Sequence, residues 1–141
     1  MIADPIRQRR NRLNRLRGKS TSAELAAYLG AQNVEGLNWP WDVQSGALRI
    51  QSKRDAVGRS PAKCRELIEY IAPGAHLRGL YQVAPRQRLV SGTVTLLLEE
   101  WVAWYGWTLP ASARLVNAGT PLIVLGLPEL RDITGAEDPR V

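Results

Sequence analysis

The 141-residue chain has one cysteine, one histidine and no long apolar run. The single cysteine, Cys64, excludes an internal disulfide framework and a zinc site built from several cysteines. The single histidine, His76, likewise excludes a histidine-rich metal site. Because no stretch approaches 18 consecutive apolar residues, we expect no membrane span, and the basic N-terminus lacks the apolar segment of a secretory signal. We therefore expect a cytoplasmic protein without a membrane partner.

Positive charge is concentrated in the first part of the chain. Residues 1–60 hold eleven Lys and Arg against five Asp and Glu, whereas residues 61–141 hold eight of each sign. The formal net charge of +6 therefore arises within the first 60 residues. This concentration indicates a polyanionic partner such as DNA, although a solvated basic tail is the alternative. The predicted DNA-binding residues are Arg7, Arg9, Arg10, Arg12, Arg15, Arg17, Lys19, Arg54 and Arg59.

The hydrophobic pattern predicts one α/β domain, a mixed sheet flanked by helices, behind a basic arm. The predicted elements are a helix over 21–30, a hairpin whose second strand covers 48–53, a helix over 61–72, strands over 76–84 and 88–96, and a helix over 97–106. We assign residues 1–20 to a flexible arm, 21–107 to the core domain and 108–141 to a partly ordered C-terminal extension.

Two apolar features lie near the end of this pattern. Trp101, Trp104 and Trp107 are spaced three apart, and we favour packing in a core or interface over base stacking. The run PLIVLGL at 121–127 has three open interpretations: an edge strand, a docked extension or a subunit contact.

The stretch PWDVQSGALRIQSKRD, residues 40–55, predicts a hairpin with one polar face. A two-residue turn, at Ser45-Gly46 or at Gly46-Ala47, places Asp42, Gln51 and Lys53 on the same face of the sheet. A three-residue loop would instead turn Asp42 to the opposite face. Because Val43, Leu48 and Ile50 then share the other face, the separation into polar and apolar faces favours a two-residue turn.

Such a polar face has a possible chemistry. A carboxylate and an amide oxygen can hold a hard divalent cation, which can bridge to a phosphodiester and activate a water molecule. Lys53 could orient that water or stabilise charge on the phosphate. The alternative is an ordinary solvated strand face.

These residues resemble the core motif of the PD-(D/E)XK nuclease superfamily, in which an aspartate precedes acid-x-lysine on the next strand. The segment WPWD supplies Asp42, with Pro40 displaced by one position, and IQSK supplies Gln51 and Lys53. The helix TSAELAAYLG supplies Glu24, which the family often adds to the site. The layout over residues 7–105 is similar to archaeal and phage Holliday-junction resolvases.

The resemblance implies a restriction-endonuclease-like core and a magnesium- or manganese-dependent endonuclease that acts on branched DNA in recombination. It also implies a homodimer and a phage or prokaryotic host. It implies that Asp42, Gln51 and Glu24 are metal ligands and, with Lys53, catalytic residues. Glu24 could instead complete a capping box with Thr21. Gln51 stands where the family has an acid, so it is a tolerated variant, an engineered substitution or a loss of activity. The alternatives are a non-catalytic nucleic-acid-binding protein of the same fold and a small interaction factor.

Overall fold

The computed structural model describes residues 21–55 and 58–134, so the predicted arm lies outside the described residues. The helices are α1 over 21–29, α2 (Pro61–Glu69), α3 (Leu98–Tyr105) and α4 (Leu127–Thr134). The strands are β1 (Gln32–Asn33), β2 (Val43–Gln44), β3 (Leu48–Arg54), β4 (Leu77–Val83), β5 (Thr93–Leu97), β6 (Arg114–Asn117) and β7 (Pro121–Gly126). Short 3-10 helices cover Glu35–Leu37 and Leu89–Ser91.

All seven strands form one mixed sheet in the order β1-β2-β3-β4-β5-β7-β6. Strands β3 and β4 are parallel and are connected through α2, and every other neighbouring pair is antiparallel. The predicted α/β class with a mixed sheet is therefore confirmed.

The two faces of the sheet are covered differently. One face packs against α1, α3 and α4 through a large apolar cluster, in which Leu25, Ile50, Tyr81 and Trp101 are at most 1% exposed. We call this the apolar face. The other face packs against α2 through a smaller cluster formed by Cys64, Ile68, Leu80, Leu97 and Leu122. We call it the α2 face. Because successive side chains of a strand point to opposite sides, each strand contributes to both faces.

Helix α2 is fixed at both ends. The hydroxyl of Ser60 accepts a hydrogen bond from the backbone N–H of Lys63 at 3.2 Å, and Pro61 follows as the first helical residue. This is the N-terminal capping that the sequence predicts. Just beyond its C-terminus, the carbonyl of Ile71 accepts a hydrogen bond from Arg78 of β4, which is 8% exposed.

Arg78 also forms an ion pair with Glu100 at the start of α3. The Arg78 Nε and the Glu100 Oε2 are 2.8 Å apart, and the other carboxylate oxygen accepts the Arg78 backbone N–H at 3.1 Å. The pair thus connects α2, β4 and α3.

The C-terminal third differs from the prediction. Residues 114–134 form β6, β7 and α4, which belong to the same sheet and core, so a boundary at residue 107 would cut through one domain. Residues 121–126 of the run at 121–127 form β7 between β5 and β6, and Leu127 begins α4, so the run is neither an edge strand nor a docked extension. The sequence did not predict that β7 lies inside the sheet, because two short antiparallel strands have too few residues to show a clear hydrophobic periodicity.

Two shorter predictions have mixed outcomes. The strand predicted over 88–96 begins only at Thr93, because residues 89–91 form a 3-10 turn. Packing of the tryptophans is confirmed for Trp101 and Trp104, which are 1% and 7% exposed, but Trp107 is 74% exposed. Among the residues that the structure describes, we find no helix with the length and apolarity needed to cross a bilayer.

Candidate functional site

The hairpin between β2 and β3 has the second of the two predicted registers. Val43 pairs with Ile50 and Gln44 pairs with Arg49. The backbone N–H of Ser45 donates to the carbonyl of Leu48 at 3.0 Å, which closes a two-residue turn at Gly46-Ala47. The three-residue loop, which would have separated the polar residues, is therefore excluded.

Asp42 lies just before β2 and is held against β3 by two hydrogen bonds. Its backbone N–H donates to the carbonyl of Ile50 at 2.9 Å. Its carboxylate Oδ2 accepts the backbone N–H of Ser52 at 2.8 Å, so the side chain takes the place of a backbone partner in the sheet. The carboxylate is thereby fixed beside the β3 backbone between Gln51 and Lys53.

The surroundings of Asp42 affect its proton affinity in opposite directions. Burial raises the pKa of the Asp42 carboxyl above its usual value, while the hydrogen bond from Ser52 and the positive charge of Lys53 lower it less strongly. The balance is a raised pKa, because a partly desolvated carboxylate is disfavoured in its charged form. A cation close to this carboxylate would relieve the same cost.

Gln51 has a buried side-chain oxygen that lacks a hydrogen-bond partner among the described residues. An unsatisfied buried acceptor costs about 1–3 kcal/mol, so such a group calls for a ligand. Gln51 is paired with Leu80 of β4, whose side chain belongs to the α2 cluster, and so Gln51 points to the α2 face. Its oxygen is the kind of neutral ligand that a hard divalent cation accepts.

Lys53 lies two residues further along β3 and therefore on the same α2 face. It is half-buried, pairs in register with Gln82 of β4, and forms no ion pair within the described part of the chain. Its charge acts on Asp42 over a longer distance than a direct contact. The amine is thus available to a ligand that approaches Asp42.

Glu24 does not join this group. Its side chain is 55% exposed and its Oε2 lies 4.0 Å from the guanidinium of Arg54. Arg54 is on the opposite side of β3 from Gln51 and Lys53, since it follows Lys53 directly. The structure thus places Glu24 on the α1 side of the sheet, where it has an ionic partner.

The capping alternative for Glu24 is not supported either. Thr21 is itself a helical residue of α1, and its hydroxyl accepts a hydrogen bond from Arg54 Nε at 2.8 Å. Thr21 is therefore not an N-cap residue. Next to it, the Ser22 and Ser52 hydroxyls lie 2.9 Å apart, so α1 meets β3 through hydroxyl groups at this point.

The two predicted DNA-binding arginines within the described residues have different surroundings. Arg54 is 13% exposed, and its donors are used by Thr21 and by the carbonyls of Pro85 and Gln87, so it fixes α1 and the loop after β4. Arg59 pairs with Asp55, donates to Gln82 at 3.2 Å and lines an open groove on the α2 face. The other seven predicted contacts, from Arg7 to Lys19, lie outside the described residues.

The donor set around Asp42 fits a magnesium or manganese ion in part. Within 21–55 and 58–134 no three His, Cys, Asp or Glu side chains are grouped as metal ligands, and so the protein offers one carboxylate and one amide oxygen. Mg²⁺ commonly keeps several water molecules and takes one or two carboxylates together with substrate phosphate oxygens. The unpartnered Gln51 oxygen favours such an ion, because Gln51 directly precedes Ser52, whose backbone N–H bonds the Asp42 carboxylate.

Sequence reasoning missed the residues that extend this site across the sheet. Gln82, Thr93 and Arg114 lie on the same α2 face as Lys53, on strands β4, β5 and β6. No local pattern identifies them, because their proximity depends on the parallel β3–β4 pairing and on the insertion of β7 between β5 and β6. Comparison with known proteins adds nothing to this assignment: no family model, curated protein or solved structure matches the chain.

Proposed function

We propose that this protein is a metal-dependent, structure-selective DNA endonuclease with a restriction-endonuclease-like core, which resolves Holliday junctions or other branched DNA. The observation that carries the proposal is the Asp42 carboxylate, bonded to the Ser52 N–H between Gln51 and Lys53. The resemblance implies an aspartate next to a strand that carries an acid-x-lysine motif. Here Asp42, just before β2, lies next to β3, which carries Gln51 and Lys53.

Each residue of the site has a specific role in this proposal. Asp42 and Gln51 would hold Mg²⁺ or Mn²⁺. A bound cation of this kind supplies Lewis acidity and lowers the pKa of a coordinated water molecule. Lys53 donates to the scissile phosphate or to the attacking water and offsets the negative charge that develops in the transition state.

The substrate class follows from charge and symmetry. An arginine-rich N-terminal segment binds phosphates without reading bases, so it suits recognition of DNA shape. Two cuts across a two-fold junction require two copies of the site, and a symmetric homodimer provides them. The buried positions of Trp101 and Trp104 and the interior position of β7 leave other surfaces of the chain for that dimer contact.

A second candidate is a non-catalytic DNA-binding protein of the same fold. Gln51 favours it, since an amide in place of a carboxylate removes one negative charge from the cation site and should weaken metal binding. Glu24 does not compensate, because its carboxylate is beside Arg54 on the other side of β3.

Cleavage assays on a four-way DNA junction and on linear duplex DNA test the proposal. The full-length protein would be incubated with Mg²⁺, Mn²⁺ or a chelator, alongside Asp42→Asn, Lys53→Met and Gln51→Glu. Asp132→Asn, an exposed carboxylate on α4, is the matched control.

We expect the wild type to cut the junction only when the metal is present. The cutting rate of Asp42→Asn should be lower by at least about a hundredfold, because the ion stabilises the transition state by several kcal/mol. Asp132→Asn should cut normally. Junction binding without cutting, followed by cutting in Gln51→Glu, would select the second candidate with a disabled site. Equal cutting by Asp42→Asn and the wild type would refute the assignment of the site.

A further inference from the structure

An open groove extends along the α2 face beside the candidate site. Its polar lining comes from Arg59 at the start of α2, Gln82 of β4, Thr93 and Thr95 of β5, and Arg114 of β6. We call it the α2 groove. Its apolar floor continues the small cluster beneath α2, so the groove is part of the folded domain and not a gap between loose loops.

Strand register connects the α2 groove to the candidate site. Lys53 is paired with Gln82, and Gln82 is paired with Thr93, so these three side chains form one row across three strands. A second row begins at Gln51 and reaches Thr95 through Leu80. Thr95 continues through Val124 of β7 to Arg114 on the edge strand β6.

The charges of the α2 groove favour an anion. Arg114 is exposed and has no ionic partner within the described residues, and Lys53, which lies one strand beyond the edge of the groove at Gln82, is equally without one. Arg59 is partly neutralised by Asp55. The N-terminus of α2, whose peptide dipole carries partial positive charge, opens at the same groove through Pro61.

The dimensions of the α2 groove match an extended polyanion better than a single small anion. Neighbouring strands are about 4.8 Å apart, so the groove from Gln82 on β4 to Arg114 on β6 covers roughly 14 Å, and the path from Lys53 on β3 to Arg114 is roughly 19 Å. A nucleic-acid strand advances about 3.4 Å per phosphate in a duplex, so this path spans several nucleotides.

We propose that the α2 groove binds the phosphodiester backbone of the DNA strand that enters the candidate site, with Arg114 contacting a phosphate several nucleotides from the one at Lys53. This inference rests on the proposed function for its choice of DNA as the anion. The Thr93 hydroxyl provides a polar contact between the two charged residues, whereas the Gln82 amide is already bonded to Arg59 and Cys64 and Thr95 is only 2% exposed.

Arg114→Gln tests the inference through binding alone. A fluorescein-labelled four-way DNA junction would be titrated with full-length protein in chelator at several salt concentrations, and the dissociation constant would be followed by anisotropy. The matched control is Arg131→Gln, which removes an exposed arginine from α4 on the opposite side of the sheet. Arg114→Lys restores the charge, and cleavage by each protein would be measured separately with Mg²⁺.

We expect Arg114→Gln to weaken binding about two- to fivefold, the range of one partly exposed ion pair, and to reduce the slope of log K against log salt by about 0.9. Arg114→Lys should recover the slope, and Arg131→Gln should match the wild type. Equal slopes for Arg114→Gln and Arg131→Gln would overturn the inference even if the wild type cuts junctions. A reduced slope in a protein that cuts no DNA would support the groove and reject the nuclease.

Discussion

The two faces of the central sheet differ in composition and in the helices that cover them. On the apolar face, β3 and β4 present Leu48, Ile50 and Tyr81, each at most 2% exposed, to three helices. On the α2 face the same two strands present Gln51 and Lys53 of β3 and Gln82 of β4, beside a single nine-residue helix. The apolar face therefore has enough cover to provide most of the stability, which leaves part of the α2 face open to bind a ligand.

The α2 face carries two cationic side chains, Arg78 and Lys53, which differ in whether an ionic partner neutralises them. Arg78 is buried and fully engaged by Glu100 and the end of α2. Lys53 is half-buried and lacks an ionic partner within the described residues. A charge that is already paired cannot bind a phosphate, whereas an unpaired one can. Partnering, more than exposure, is what distinguishes the two in this protein.

The largest expected effect is the loss of stability when the buried Arg78–Glu100 ion pair is broken. Glu100→Ala would leave the Arg78 guanidinium buried without its carboxylate, so we expect a loss of about 3–5 kcal/mol in the free energy of unfolding. Urea denaturation followed by circular dichroism measures it. Glu99→Ala, at the exposed neighbouring position, is the control and should change stability by less than about 0.5 kcal/mol. Similar losses of stability in both variants would show that the Arg78–Glu100 pair does not stabilise the fold.

The next effect compares the two sides of one strand. Ile50→Ala removes a fully buried side chain from the apolar face, and we expect a loss of about 2–5 kcal/mol. Lys53→Met, three residues further on, should change stability by only about 0.5 kcal/mol or less, because no ion pair is lost. The same denaturation experiment measures both. Comparable losses would show that both faces of β3 stabilise the fold.

The smallest expected effect is the pH dependence of stability that Asp42 contributes. Its pKa is raised in the folded state, so the folded protein binds this proton more tightly than the unfolded chain does. The contribution of Asp42 to stability therefore decreases as the pH rises through the interval between the unfolded and folded pKa values.

Asp42→Asn removes this dependence. Relative to the wild type, the variant should gain stability as the pH rises above the ordinary aspartate pKa of 3.8, and the two curves should run parallel once the pH exceeds the raised folded pKa. Urea unfolding across the range, without divalent ions, provides the comparison. A variant that loses stability relative to the wild type as the pH rises would mean that the hydrogen bond from Ser52 and the charge of Lys53 outweigh burial.

Much of the local structure could be predicted from the sequence. The hairpin face, the Ser60 cap of α2 and the end of α3 at Gly106, where φ is +74°, all depend on residues close together in the chain. For the same reason, the grouping of Asp42 with Gln51 and Lys53 was predictable once a two-residue turn was favoured.

The rest depends on contacts between distant segments. The side of β3 on which Glu24 lies is set by how α1 packs, and its partner Arg54 is thirty residues away. The role of 121–127 depends on strand order, because β7 enters the sheet between β5 and an edge strand that precedes it in the chain. Hydrophobic periodicity carries no information about either choice.

The central claim is that Asp42 and Gln51 hold one divalent cation from adjoining strands. Calorimetric titration of the folded protein with Mn²⁺ tests it most directly, using the wild type, Asp42→Asn, Gln51→Glu and the Asp132→Asn control. We expect binding by the wild type and by the control, tighter binding by Gln51→Glu, and none by Asp42→Asn. Binding by Asp42→Asn that equals the wild type, or no gain from Gln51→Glu, would contradict it.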